Sequence, residues 1–452
     1  MWYEVWIGLL SVVYLCLRSS DESVFTTKFV STWVLASSIL FLLVVTFLTR
    51  KRVYLLEFEV FEAPEEWKIS HKDIGKIIRN LSAHRKRFGV SHHTELDAQF
   101  QQRVLSNSGT GESTAWPPAI VQYKTEDGIG VRDGSIKHWI CMQDTREEAE
   151  AVIFQCMDKL LAKTMLSPKK IDCLVVNCSL FSPTPSLCAM VCQKYGLRND
   201  VKTYNLSGQG CSASVIAIDL AQDFLDSNSH SIAVVISTEL ISESIYHGHD
   251  KSMLIQNTLF RSGGAAIALT NKWYHTGVAK YMLYSIQRTQ VSDTDSYKSV
   301  YEAEDSDHNR GIALSKQITE LAGKAIEINL KSIAYKILPI LEKIKVALSI
   351  RKRNGKRRIT YTPHLMTAVQ YVCIHPGGRA VLDSLQKGLK LTDDDMQASR
   401  YALREHGNTS SSSIWYELRF LERESKMRAG DKVLQLAFGS GFKCNSVVWK
   451  RL

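Results

Sequence analysis

The sequence predicts an α/β fold, with helices alternating with buried strands behind an N-terminal apolar hairpin, and three observations predict it. First, residues 201–225 read as a short strand, a glycine turn and a helix. Second, from residue 147 onward amphipathic helices alternate with strands that are apolar on both faces, as strands covered by helices on two sides must be. Third, the 452 residues are 45% hydrophobic with 25 Gly and only 9 Pro, which allows a large core and excludes a disordered or low-complexity chain.

In chain order, 2–17 and 29–48 are apolar runs separated by the polar segment 18–28. The second is about 20 residues, the ~20 that a helix needs to cross a bilayer core, and the first about 16. Trp2, Trp6 and Trp33 suit the interface, and the pair reads as two transmembrane helices. A cleaved signal peptide fits poorly, because the first four residues are not basic and no small-residue cleavage site follows. Arg50-Lys51-Arg52 places the large C-terminal part on the cytosolic side. From 53 to about 133 the chain is polar, with helices expected at 71–88 and 95–102, a break at 106–118, and no evident chemistry.

The ten cysteines form no C-x-x-C pair, and Cys173/Cys178 and Cys188/Cys192 lack histidines at zinc-ligand spacing, so reduced thiols and no metal are expected. A net charge of +10 suits an acidic partner, whether nucleic acid, anionic lipid or a phosphate-bearing molecule.

A helix at 147–163 leads to strand 171–177, helix 186–195, strand 201–206, helix 213–225, strand 232–238 and strand 263–270. Cys211 falls at the N-terminus of the last of these helices, 213–225. Unpaired N–H groups and the positive end of the macrodipole favour thiolate there and offer an N–H to an oxyanion. A small buried cysteine filling a strand-helix corner fits the same stretch equally well. The glycine-rich F-R-S-G-G-A-A-I-A-L at 260–269 lacks the lysine of a phosphate loop, so no nucleotide site is expected.

The second half holds a region 274–307, a helical zone 312–350, and a basic run 351–358 with six Lys or Arg in eight positions. His375 ends a buried-type strand before a glycine turn, and Asn408 precedes a serine-capped helix. Such corners converge at the carboxyl ends of strands. A thiol that attacks an acyl carbon, with an imidazole and a carboxamide donating to an oxygen that becomes negative, forms a coherent set.

On these motifs the chain resembles the plant very-long-chain 3-ketoacyl-CoA synthases, membrane-bound condensing enzymes of fatty acid elongation. The likeness runs through the hairpin, N-C-S-L-F-S-P-T-P-S-L at 177–187, N-L-S-G-Q-G-C-S-A at 205–213, S-M-L-I-Q-N-T-L-F-R-S-G-G-A-A at 252–266, C-I-H-P-G-G-R-A-V at 373–381 and G-N-T-S-S-S-S-I-W-Y-E-L at 407–418. It implies a thiolase-like, two-lobed α/β/α/β/α fold, with a membrane hairpin at 1–52, a nucleophile lobe at 53–272 and a lobe at 273–452 carrying His and Asn. By this resemblance Cys211 is acylated, His375 and Asn408 bind the malonyl thioester carbonyl, and the Gly441 N–H joins that of Cys211 in the oxyanion hole. The implied substrates are acyl-CoA and malonyl-CoA, with no metal or redox cofactor and no nucleic acid. A homodimer, other elongase subunits, and an endoplasmic reticulum membrane with the catalytic domain facing the cytosol are implied as well. Gln290 and Tyr371 stand where the family usually has histidine, and Pro376 where it has a small residue. These departures motivate an alternative, a weakened homologue that acts as a scaffold in the elongase. A degradative thiolase would need a second catalytic cysteine, for which Cys444 is a poor candidate.

Overall fold

The structure is a computed structural model that describes residues 37–38, 52–125, 131–132, 135–136, 140–353, 356–359 and 361–452. The expected membrane runs 2–17 and 29–48 lie outside the described residues, save Ser37 and Ser38. Among the described residues no helix is long and apolar enough to cross a membrane. The chain divides into two units, Met1–Arg52 and Val53–Leu452, and the second is described below.

Its nine-stranded sheet is formed by β1 (Tyr54–Val60), β2 (Cys173–Asn177), β3 (Lys202–Leu206), β4 (Ile232–Glu239), β5 (Gly263–Thr270), β6 (Tyr281–Gln290), β7 (Tyr371–Ile374), β8 (Lys432–Gly439) and β9 (Lys443–Arg451). The order is β7-β8-β9-β6-β1-β5-β4-β2-β3. β2 runs parallel to β3 and to β4, and β7 parallel to β8. The two halves meet where β1 and β6 begin, through only two registers, Tyr54 opposite Met282 and Leu55 opposite Tyr281.

The main helices are α1 (His71–Arg87), α2 (Glu95–Asn107), α3 (Met142–Thr164), α4 (Leu187–Tyr195), α5 (Ala213–Ser227), α6 (Ile318–Ile337), α7 (Ile340–Leu348), α8 (Arg379–Leu389), α9 (Gln397–His406) and α10 (Ser413–Glu424). Capping boxes start α1, Ser70 with Asp73, and α2, Thr94 with Asp97, each satisfying two otherwise orphaned N–H groups.

Alternation along the strands builds the layers. Val175 and Val235 face inward and pack, with Val433 and Val447 of the other half, around Val215 and Ile218 of α5 and Trp415 and Leu418 of α10. Leu174, Val176 and Val234 face outward against Val152, Ile153 and Cys156 of α3. Leu434, Leu436 and Val448 face outward on the second half against Ala322, Ile326 and Ile333 of α6. The result is the α/β/α/β/α sandwich, with α5 and α10 as the central layer.

Three local expectations differ from the structure. The stretch after residue 53, read as polar, opens with β1, at the centre of the sheet. Its Glu59 is buried and ion-paired with Arg419 at 3.0 Å and with Lys163, so a charge sits on a core strand with its countercharges in place. The helical zone 312–350 is two helices, α6 and α7, broken at Pro339, and begins with a strand, Arg310–Leu314. The basic run belongs to a two-stranded hairpin, Ile350–Arg353 with Lys356–Ile359.

Candidate active site

Cys211 lies in a one-turn 3-10 segment, Gly210–Ser212, between β3 and α5. Gly208 and Gly210 have φ of +64° and +67°, the left-handed region in which side chains are strained. Gly210 is also needed for space, since a Cβ there would lie 2.7 Å from the Ser440 backbone N. A Cβ on Gly439 would lie 2.6 Å from the Cys211 N. Two glycines thus let the nucleophile turn and the β8–β9 turn touch backbone to backbone. Gly210 N donates to Ser179 Oγ at 3.0 Å, and Asn445 Nδ2 donates to Ser212 Oγ at 3.0 Å, which pins the turn at both ends. Gly441, the expected oxyanion donor, is two residues beyond Gly439, beside the Lys443 ammonium; the contacts to the Cys211 turn are made by Gly439 and Ser440.

Asn408 follows α9 and is held by its own backbone, which donates to the Leu259 carbonyl at 3.2 Å and accepts from Arg261 N at 2.9 Å. Its side-chain carbonyl accepts from Ser410 N at 2.9 Å, so the NH2 group is the part left for a ligand. Ser410 has φ +56°, unusual for a residue with a Cβ. Its hydroxyl is 3.6 Å from Cys211 Sγ and 2.9 Å from the buried Glu239 carboxylate. The other Glu239 oxygen accepts from Ser179 N at 2.8 Å and Leu180 N at 2.7 Å. Ser411 donates to Asn177 Oδ1 at 2.6 Å, and Asn177 Nδ2 donates to Ser237 Oγ at 2.7 Å. The serine run read as a helix cap therefore ties the carboxyl ends of β2 and β4 to the start of α10.

His375 directly follows β7, buried, with its N–H donating to the Leu436 carbonyl at 2.9 Å. Its ring meets Phe438 edge-on at 5.4 Å, and Phe438 precedes Gly439. On the other side Gly378 lies against Leu259, the residue whose carbonyl holds Asn408. Cys211 and Asn408 are joined directly through Ser410, and His375 reaches the group through Phe438 and Leu259. Burial pushes the His375 imidazole down to about 3, so it is neutral in working conditions, and its Nδ1 has no protein partner.

The thiol corrects one expectation. Burial pushes Cys211 up to about 12, with the Glu239 carboxylate adding to the rise, against a smaller lowering by the Ser410 hydrogen bond and the Cys211 backbone. The resting nucleophile is a thiol and not the thiolate expected from a helix N-terminus, because desolvation outweighs a partial dipole charge. Among the described residues the cysteines are free and no cluster is arranged to hold a metal ion.

The two departures at family histidines lie apart. Gln290 ends β6 opposite Lys443, beside the turn that touches Cys211, and is exposed. Tyr371 begins β7, at the far end of that strand from His375, with its ring against the core. Glu239 and Ser410 escaped the sequence reading; the available signal was a carboxylate closing the strand I-A-V-V-I-S-T-E, whose first five residues are apolar.

The model of the FAE1/type III polyketide synthase-like proteins matches residues 45–354, and that of the 3-oxoacyl-[acyl-carrier-protein] synthase III C terminus matches 365–451. The chain belongs to the FAE1/type III polyketide synthase-like family. Arabidopsis thaliana relatives of this family include 3-ketoacyl-CoA synthase 17, 42% identical over 99% of this chain and 86% of its own length. Another is 3-ketoacyl-CoA synthase 5, 42% identical over 92% of this chain and 82% of its own. Solved structures share the thiolase-like fold: PKS-I from the brown alga Ectocarpus siliculosus at TM-score 0.67 and 16% identity, covering 89% of this chain and 98% of that one. CsyB complexed with CoA-SH aligns at TM-score 0.65 and 20% identity, over 88% of this chain and all (100%) of that one.

Proposed function

We propose that the chain is a 3-ketoacyl-CoA synthase, which condenses a long-chain acyl-CoA with malonyl-CoA. The observation that carries this is a thiol and a carboxamide NH2 linked through Ser410, with a neutral imidazole after β7 against Phe438 of the neighbouring β8, the set a decarboxylative condensation requires. Cys211 attacks the acyl-CoA carbonyl, forming an acyl thioester and releasing CoA, with the thiol proton leaving on the CoA sulfur. Malonyl-CoA then loses carbon dioxide, and the two electrons of the broken C–C bond form an enolate whose oxygen takes hydrogen bonds from His375 and Asn408. The enolate carbon attacks the acyl thioester, giving a 3-ketoacyl-CoA two carbons longer, and the departing Cys211 sulfur takes up a proton. The tetrahedral oxyanions at Cys211 are held by its own N–H and a second donor from the Gly439-Ser440-Gly441 turn, Gly441 being the family's candidate. Loss of carbon dioxide supplies the carbanion equivalent, so the scheme requires no metal or redox cofactor.

The same proposal anchors the chain in the endoplasmic reticulum membrane by 1–52, with the catalytic part facing the cytosol, where CoA thioesters are made. It divides the rest into lobes at 53–272 and 273–452. Edge strand β3, with Lys202, Thr203 and Tyr204 exposed, offers backbone groups to a second copy and supports a homodimer. A 3-ketoacyl product calls for reductase and dehydratase partners in the elongase. The test is an assay of purified protein with carboxyl-labelled malonyl-CoA and a series of acyl-CoA primers. Primer-dependent release of labelled carbon dioxide is expected. Its absence with every primer would leave the scaffold reading instead.

A further inference from the structure

We infer that the Val53–Leu452 unit carries a lipid-facing surface of its own, built on α7 and the basic hairpin that follows it. Helix α7 is poorly covered: Ile340, Leu341 and Leu348 are 74%, 72% and 80% exposed, and Ile344 is exposed beside them. At 100° per residue these four side chains fall within a single arc of roughly 100°. Lys343 and Lys345 flank that arc on its two sides, while Glu342 turns inward and takes hydrogen bonds from Lys345 and Tyr361. An apolar face rimmed by lysines on a surface helix is the pattern of a segment that lies in a membrane interface.

Position supports the same occupant. Ile337, just before α7, accepts from Lys432 Nζ, and Gln370, beyond the hairpin, exchanges hydrogen bonds with Lys432 at the start of β8. The segment therefore leaves and rejoins the fold at the end of the sheet where its parallel strands begin, away from the ends that carry His375 and Gly439. The chain arrives from Arg52 at this same end, where β1 and β6 meet. Here too the turn between β5 and β6 presents Trp273, Tyr274 and Val278, at 71%, 55% and 73% exposure. Exposed Trp and Tyr beside Lys are what the headgroup region accepts. In sequence, α7 is followed at 351–358 by six Lys or Arg in eight positions, and a basic cluster that follows an apolar helix selects anionic headgroups. A second copy of the chain carries the same net charge of +10 and is repelled on balance, whereas an anionic surface is attracted. The occupant is an anionic bilayer surface, so that the catalytic ends of the strands point away from the lipid.

This inference rests on the membrane attachment proposed above, and the test separates the two. Full-length protein carrying the photo-crosslinker benzoylphenylalanine at Leu341, at Leu348, or at the exposed control position Leu96 is reconstituted in phosphatidylcholine vesicles with or without phosphatidylserine. Flotation reports attachment, and lipid adducts found by mass spectrometry report the face. We expect adducts at Leu341 and Leu348 several-fold above Leu96, falling when phosphatidylserine is omitted. Floating protein with equal adducts at all three positions, or with crosslinks to a second copy, would overturn the inference. Protein that fails to float would overturn the attachment together with it.

Discussion

The Ser410 hydroxyl stands between the Cys211 sulfur, at 3.6 Å, and the Glu239 carboxylate, at 2.9 Å. Because the thiol is held protonated, a hydroxyl that contacts both the sulfur and a buried carboxylate helps set the cost of charging that sulfur. Ser410→Ala should slow acylation by roughly 10- to 100-fold, the range expected when a hydrogen bond to a charged group is lost. Stopped-flow release of CoA, followed across pH, checks it. An unchanged rate and pH profile would make Ser410 purely a backbone peg.

Cys211→Ala should abolish labelling of the protein by acyl-CoA without loss of fold, since the substituted side chain is small. His375→Ala and Asn408→Ala should still be acylated but lose condensation, each by about 10²–10³ in rate, as for a missing oxyanion donor. Separate assays of acyl transfer and of carbon dioxide release distinguish the half-reactions. Loss of acylation in both variants would refute the division of roles.

Gly439→Ala places a methyl group against the Cys211 backbone N, 2.6 Å away, where no flexible side chain can yield. The nucleophile turn must shift, and acylation should fall at least 100-fold while the thermal transition remains cooperative. Ser440→Ala, which removes only a hydroxyl bonded to the Val300 carbonyl, should cost much less. Equal effects of the two would refute the steric argument.

Gln290→His should change the condensation rate and leave stability within about 0.5 kcal/mol, because the site is exposed and adjoins the turn behind Cys211. Tyr371→His should do the reverse, lowering stability by about 1 kcal/mol with kcat unchanged, since its ring packs on the core at the opposite end of β7. Denaturant titration and steady-state kinetics on the pair decide the point.

Burial holds His375 at about 3 and both His93 and His406 at about 4, against an ordinary 6.5. The unfolded chain therefore binds protons that the folded chain refuses. Stability should be fully present above pH 6.5 and decline as the pH falls toward 4, with each histidine contributing up to about 1.4 kcal/mol per pH unit. His406→Asn, at a position outside the catalytic set, should flatten that slope in thermal melts. A slope as steep as in the unaltered chain would show that other groups carry the acid sensitivity.

The sequence made the layers legible because β2, β4 and α5 are apolar where they face helices, and the corners at Cys211, His375 and Asn408 because glycine and serine mark them. β1 was hidden by Glu57 and Glu59, whose cations, Lys280, Lys163 and Arg419, come from distant parts of the chain. The charge state of Cys211 was misjudged for a related reason. Local sequence displays the helix end but not the burial, nor Glu239, which arrives from another strand. The close approach of Gly439 and Ser440 to the Cys211 turn was not legible, because it depends on backbone placement that residue types do not encode.

The position of β1 bears on how the chain can be made. Its partners, β5 and β6, follow its last residue by roughly 200 residues, so at ~5–20 residues per second it waits on the order of 10–40 s for its neighbours to leave the ribosome. Leu55, Phe58 and Val60, all buried in the finished sheet, stay uncovered throughout that interval. The most central strand is thus the first of the nine to be synthesised, yet it stays unpaired on one edge until residues 263–270 have emerged and on the other until β6 follows.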